Sequence, residues 1–90
     1  MTATSDPVLS RIERSRALFA KFEGTRDDDA GELAYYEWLP AFEKMIATTP
    51  QTTVGAVALI DAFLETEDCQ SAPPVIPLLN TLRRFLEQRQ

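Results

Sequence analysis

The sequence predicts an all-α fold in which four helices form one bundle-like domain. Apolar residues recur at helical spacing in four separate segments, and no segment alternates as a β-strand does. The connections between segments are short, about four to eight residues, which favours antiparallel neighbours. The chain has 90 residues, 44% of them hydrophobic and 26% charged. This length and composition suit a single domain over residues 1–90.

Helix 1 is predicted over Pro7–Glu23. Asp6 is its expected N-cap, and Pro7 suits the first helical position because the N–H that proline lacks has no helical partner there. Gly24 is expected to end the helix as the residue after the C-cap. Residues 1–5 are small and polar, and we expect them to fray.

Helix 2 is predicted over Asp29–Ala47, because the acidic run 27–29 favours the positive end of a helix that follows it. Pro40 falls inside the apolar pattern, on the polar side of the helix. Water can there satisfy the carbonyl of Tyr36 that Pro40 leaves unpaired. We therefore expect a helix bent at Pro40, with two shorter helices as the alternative.

Helix 3 is predicted to begin with Thr49 or Thr52 as cap and to run to about Glu67. Its apolar residues cover more than half of its circumference, which predicts that helix 3 is the central, most buried helix. Small residues form a stripe that would let another helix approach closely: Gly55, Ala58 and Ala62.

Helix 4 is predicted from about Pro74 to Glu87, with a continuous apolar stripe and with Pro77 in its first turn, where a missing N–H costs little. Helices 3 and 4 together carry more apolar side chain than a small bundle needs. A 90-residue chain buries only about two-thirds of its unfolded surface. The apolar side chains that the core does not need therefore predict self-association, most simply as a dimer.

Charge is segregated along the chain, whose net charge is −5. Residues 8–26 carry +3, residues 27–68 carry −9 and residues 69–90 carry +2. One interpretation is intramolecular, with the basic outer helices beside the acidic middle ones, each exposed pair contributing at most about 1 kcal/mol. The other is that the acidic middle faces a basic partner.

The residue inventory argues against an enzyme, a cofactor or a metal site. The chain has no histidine, and its only cysteine is Cys69, so the commonest general base and the usual zinc ligands are missing. Placing Gly31 at the glycine position of a calcium-binding loop matches only Asp28 and Glu37 among the ligand positions. We therefore expect no catalytic residues, although chemistry by carboxylates alone stays formally open.

We expect a cytoplasmic protein with no membrane partner. No run of about 18 apolar residues occurs. The first seven residues lack the basic and apolar regions of a secretory signal. A single unpaired Cys69 fits a reducing compartment.

Aromatic residues are densest in the middle of helix 2, at Tyr35, Tyr36, Trp38 and Phe42. Most are expected in the core, but Tyr36 points away from Trp38 on the helical wheel, and tyrosine and tryptophan are favoured at interface centres. The candidate partner-binding residues combine this group with the acids before it: Tyr35, Tyr36, Trp38, Asp27, Asp28 and Asp29.

Two segments resemble short, uncharacterised helical proteins of alphaproteobacteria. The first segment, residues 6–17, begins with D-P and continues with I-E and R-A. The second segment, residues 47–58, contains T-T-P followed by T-T-V-G-A-V-A. The resemblance implies a bacterial origin and an all-helical fold. It brings no functional residues with it.

These observations predict a small, non-catalytic protein-interaction or regulatory module with a protein partner. The alternative is a role linked to nucleic acid, either as an acidic mimic that blocks a nucleic-acid-binding protein or as a weak binder through basic helix 1. Nucleic acid is the less favoured partner, because the chain is acidic and helix 3, the recognition helix of a hypothetical helix-turn-helix, has no Lys or Arg.

Overall fold

The computed structural model describes residues 6–25, 29–66 and 74–88. The helices are α1 (Pro7–Thr25), α2 (Asp29–Ala47), α3 (Thr53–Glu65) and α4 (Val75–Gln88), and none of the described residues forms a strand. This confirms the predicted all-α fold. α1 packs along α2, α3 packs on both, and α4 packs on α2. The molecule measures 48 × 33 × 16 Å, and its thickness suits two layers of helices about 8–10 Å apart.

The predicted helix ends lie within two residues of the observed ones. Of the two caps predicted for helix 3, Thr49 and Thr52, the structure selects Thr52, since its Oγ1 accepts a hydrogen bond from the Gly55 N–H at 2.9 Å. The prediction that Gly24 ends α1 is wrong: the helix continues to Thr25, with no left-handed residue among those described. The Thr25 hydroxyl donates to carbonyls of the last turn, so no glycine is needed to satisfy them.

The expected fraying of residues 1–5 and the predicted end of helix 3 at Glu67 both lie outside the described residues. Within the described part, α3 ends at Glu65, and the N–H of Thr66 donates to the carbonyl of Phe63.

The centre of the core is α2, and the prediction that helix 3 is the central helix is wrong. Trp38, Phe42 and Met45 of α2 are completely buried. α3 buries one side, through residues such as Leu59 and Phe63, and exposes the other. Its apolar pattern was broad enough for complete burial, but neighbouring helices cover it from one side only. Each fully buried large side chain contributes about 1.5–3 kcal/mol.

α2 runs unbroken through Pro40. The proline is exposed, as is Tyr36 one turn earlier, whose carbonyl loses its helical donor. If Pro40 lay in the core, no water molecule could replace the N–H donor that the Tyr36 carbonyl lacks. Placement on the solvent side therefore makes Pro40 compatible with a continuous helix.

A single buried carboxylate joins the first turn of α1 to the first turn of α3. Asp6 Oδ1 accepts from the N–H of Val8, at 3.3 Å. Its Oδ2 accepts from the N–H groups of Gln51 and Thr52 and from the Thr52 hydroxyl, at 2.8, 2.9 and 2.9 Å. We call Asp6, Gln51 and Thr52 the Asp6 clamp. It confirms Asp6 as the N-cap of α1 and adds a tertiary contact that the cap role did not predict.

The electrostatics of the Asp6 clamp favour the ionised carboxylate. Burial raises the pKa of Asp6, but the hydrogen bonds from Gln51, Thr52 and Val8 together lower the pKa below its ordinary value of 3.8. Hydrogen bonds to the charged form outweigh the loss of hydration. The carboxylate is therefore both buried and fully partnered.

Gly55 creates the space in which the Asp6 clamp forms. A Cβ at this position would collide with the Asp6 carboxylate and would also press on Val8, at 3.1 Å from its Cγ1. Of the small-residue stripe predicted for helix 3, Gly55 admits a close neighbour, which is the start of α1. Gly24, by contrast, has nothing within 4 Å of where a Cβ would lie.

α4 is held to the end of α2 by a buried hydrogen bond. The Thr81 hydroxyl donates to the carbonyl of Ile46 at 2.6 Å, and both residues are buried. This carbonyl lies in the last turn of α2, where no further helical N–H can reach it. Leu78 and Phe85 pack on either side of Thr81 along the same face of α4.

No helix among the described residues has both the length and the apolar character needed to cross a membrane.

We predict opposite effects for the same substitution at two glycines. Gly→Ala inside a helix gains about 1 kcal/mol from backbone propensity, so Gly24→Ala should stabilise the protein slightly. Gly55→Ala should instead lower the free energy of unfolding by about 2 kcal/mol, because it displaces a carboxylate with four hydrogen bonds. Urea unfolding of both variants measures the difference. A Gly55→Ala protein as stable as Gly24→Ala would contradict the role given to the Asp6 clamp.

We also predict that the Asp6 clamp makes stability depend on pH in acid. Because the folded pKa of Asp6 is lowered, the unfolded chain takes up the proton first as pH falls. The stabilisation is therefore complete above about pH 5 and is lost as pH falls below about 4 and through the folded pKa. Asp6→Asn should be less stable near neutral pH and should lose stability less steeply in acid. Equal slopes for the two proteins in urea unfolding from about pH 4.5 to 2.5 would refute this.

Candidate interaction surface

The outer side of α3 carries a row of exposed aliphatic side chains that no described helix covers. Val57 and Leu64 are each more than half exposed, at 53% and 54%, and Val54 is at 72%. At 100° per residue these three lie within about 80° of arc, opposite the buried Leu59. Ile60 extends the row to one side. We call Val54, Val57, Ile60 and Leu64 the α3 face.

The only charged residues of α3, Asp61 and Glu65, border or interrupt the α3 face. Glu65 forms a two-pronged ion pair with Arg16 of α1, with Nε–Oε1 at 3.0 Å and Nη2–Oε2 at 2.8 Å. The hydrogen bonds to Glu65 raise the pKa of Arg16 and outweigh its partial burial, and the charge of Asp61 adds to the effect. The negative charge of Asp61 lies among apolar neighbours, between Val54 and Val57 on the helical wheel.

α4 has a second exposed apolar surface beside its buried one. Val75, Leu79 and Leu86 lie within about 40° of arc and are all exposed, and Ile76 lies further round. We call these four residues the α4 flank. The stripe predicted for helix 4 is therefore wider than the strip that α2 covers.

The aromatic residues predicted to bind a partner divide between core and surface. Trp38 is completely buried, and its Nε1 donates to the hydroxyl of Ser15 at 3.2 Å. The expectation that Trp38 contributes to a partner surface is therefore wrong, because α1 covers its ring. Tyr35 is half-buried in contact with the rings of Phe22 and Trp38. Tyr36 is exposed, as its wheel position predicts.

Of the three predicted acidic residues, Asp29 is exposed in the first turn of α2. Asp27 and Asp28 lie outside the described residues. Asp29 and Tyr36 fall on the same side of α2, two turns apart. The exposed side chain of Leu33 lies between them along the helix.

Part of the segregated charge is neutralised within the molecule. Lys21 of α1 contacts Glu37 of α2, with Nζ–Oε1 at 2.7 Å, and Arg16 contacts Glu65 of α3. Two bases of helix 1 are thus paired with acids of the acidic middle, as the intramolecular interpretation predicts. Both pairs are about half exposed, so each contributes at most about 1 kcal/mol.

The described residues enclose no pocket, and no three of their acidic side chains converge on a possible metal site. Comparison with protein-family models, curated proteins and solved structures finds no match to this chain. The resemblance to alphaproteobacterial proteins therefore stays a prediction.

Sequence reasoning does not find the α3 face, because the apolar pattern of helix 3 places these residues in the core. A helix that is apolar on most sides is usually buried, and the sequence does not say how many sides have neighbours. The surplus of apolar side chain on helices 3 and 4 was the signal that pointed to these surfaces.

We predict that Tyr36 and Trp38 respond very differently to truncation. Tyr36→Ala should change the free energy of unfolding by no more than about 0.5 kcal/mol, because the ring is exposed. Trp38→Ala should cost about 3–5 kcal/mol, since it leaves a cavity among Phe19, Tyr35 and Phe42. Urea unfolding measures both free energies. A Tyr36→Ala protein as unstable as Trp38→Ala would contradict the placement of Tyr36 on the surface and Trp38 in the core.

Proposed function

We propose that this chain is a small, non-catalytic protein-interaction module that self-associates through the α3 face. The observation that carries the proposal is the row of Val54, Val57 and Leu64, exposed opposite the core on a well-capped helix. Single exposed aliphatic residues are normal on a protein surface, but a contiguous row on one helix is typical of an interaction site.

The physical case for association rests on what contact would bury. Completely burying a valine, isoleucine or leucine contributes about 1.5–3 kcal/mol. The side chains of the α3 face are roughly half exposed, so each would add part of that amount. The face is carried by a helix tied to α1 at its first turn, and a fixed surface loses less conformational entropy on binding than a mobile one.

The residues available support a non-catalytic role. The chain has no histidine to act as a base. Its best-partnered carboxylate, Asp6, is buried by the ends of two helices and engaged in structural hydrogen bonds. These features support an interaction module over an enzyme.

The nucleic-acid alternative receives less support. Direct binding through helix 1 would use its bases, but Arg16 and Lys21 are engaged by Glu65 and Glu37. Acidic mimicry needs the acids of α2 on one surface, yet Glu37 and Glu43 stand about 120° apart around the helix. A phosphate backbone attracts unpaired basic side chains, and these two ion pairs leave fewer such side chains on α1.

The proposal predicts that polar substitutions on the α3 face weaken self-association without unfolding the protein. Wild type should form dimers by sedimentation equilibrium within about 1–100 µM, where weak interfaces are visible. Val57→Ser with Leu64→Ser should raise the dissociation constant at least tenfold, while circular dichroism shows unchanged helix content. The matched control is Leu33→Ser with Tyr36→Ser, which alters two comparably exposed side chains on α2.

Two results would overturn the proposal. One is a wild-type protein that stays monomeric at about 100 µM. The other is loss of association in the α2 control with none in the α3 variant, which would move the interface to the outer side of α2.

A further inference from the structure

We propose that two copies of this chain pair reciprocally, with the α3 face of each packed against the α4 flank of the other. The inference rests on the proposed self-association and names the partner as a second copy. It follows from the charges placed within the two exposed apolar surfaces, which have opposite signs.

The α3 face carries only negative charge. Asp61 lies among its aliphatic residues, Glu65 lies at its edge, and α3 has no base. If two α3 faces met each other, the interface would contain two Asp61 carboxylates with no base from either α3 helix, beside two Glu65 carboxylates that are each already paired with Arg16 of α1. Like charges brought together on desolvation oppose association, so pairing of α3 with α3 is disfavoured.

The α4 flank carries a positive charge in the corresponding place. On the helical wheel Arg83 lies between Leu79 and Ile76, and its side chain is 74% exposed. Its one described ion pair is within α4, to Glu87 at 3.5 Å. The neighbouring Arg84 is turned towards the molecule, where it donates to the hydroxyls of Thr81 and Thr49. Arg83 is thus the base that α4 presents outward.

When the α3 face packs on the α4 flank, the aliphatic side chains of the two surfaces contact each other and Asp61 lies against Arg83. Each surface alone offers four partly exposed aliphatic side chains, whereas a stable interface engages about 20–30 residues from each partner. Using both surfaces on both copies doubles the contact area and makes the contact self-complementary. A two-fold axis closes such an arrangement at two copies.

The test is charge reversal on each surface, followed by mixing. Asp61→Arg and Arg83→Glu should each raise the dissociation constant of the dimer roughly tenfold, because each reversal places like charges in both reciprocal contacts. An equimolar mixture of the two variants should recover an affinity near that of wild type. In the mixed dimer, the two substituted side chains face each other with opposite charges at one contact, and the native Asp61 faces the native Arg83 at the other.

Matched controls separate this pairing from a general effect of charge. Glu43→Arg on α2 and Arg14→Glu on α1 reverse exposed charges away from both surfaces and should leave the dissociation constant unchanged. A second measurement needs no variant. In a mixture of ¹³C-labelled and unlabelled wild type, isotope-filtered NOEs should join methyl groups of Val57 or Leu64 to those of Leu79 or Leu86.

The outcomes distinguish this inference from the proposed function. A wild-type dimer that Val57→Ser with Leu64→Ser weakens, and that Arg83→Glu does not, would overturn the reciprocal pairing and leave an α3-to-α3 interface. Assemblies that grow beyond two copies with concentration would overturn the closed arrangement. A monomeric wild type would overturn the proposed function together with this inference.

Discussion

The arrangement of the helices depends on the Asp6 carboxylate. It accepts hydrogen bonds from the first turn of its own helix and from three donors at the start of α3. The Thr52 hydroxyl donates to Asp6 and accepts from the Gly55 N–H, so the cap of α3 is oriented by the cap of α1. The absence of a side chain at Gly55 provides the space for this contact. The carboxylate and the buried apolar residues of α3, which are Leu59, Ala62 and Phe63, thus hold the same side of α3 towards the molecule.

This constraint has a direct consequence for the surface of α3. With Gly55, Leu59 and Ala62 turned inward, Val54, Val57 and Leu64 must lie on the opposite side, because the helical period fixes their angular separation. α4 could have covered that side, but its buried Thr81 is bonded to the end of α2, and Leu78 and Phe85 follow it there. Two long-range polar contacts thus leave two aliphatic surfaces open.

The core itself is organised by α2. Its aromatic residues form a continuous set of ring contacts that runs from Phe22 of α1 through Tyr35, Trp38 and Phe42 to Phe63 of α3. The one polar atom of the Trp38 ring is satisfied by Ser15, so complete burial leaves no unpaired donor. Salt bridges at the surface of this core add charge complementarity between α1 and its neighbours, and only modest stability.

The sequence by itself determined the local features: four helices, the N-cap role of Asp6, the extent of α2 and the outward side of Tyr36, while the cap of α3 stayed open between Thr49 and Thr52. These depend on neighbours within about four residues, and such interactions are visible in a sequence. Only the tertiary structure decided that α2 is central, that Trp38 is inaccessible and that α3 has an open side. Those outcomes depend on which helices meet. Two hydrogen bonds between distant residues help to set this: Thr81 to Ile46, 35 positions apart, and Thr52 to Asp6, 46 positions apart. An apolar pattern shows that a surface can be buried, but the partner that buries it is set by contacts of this long-range kind.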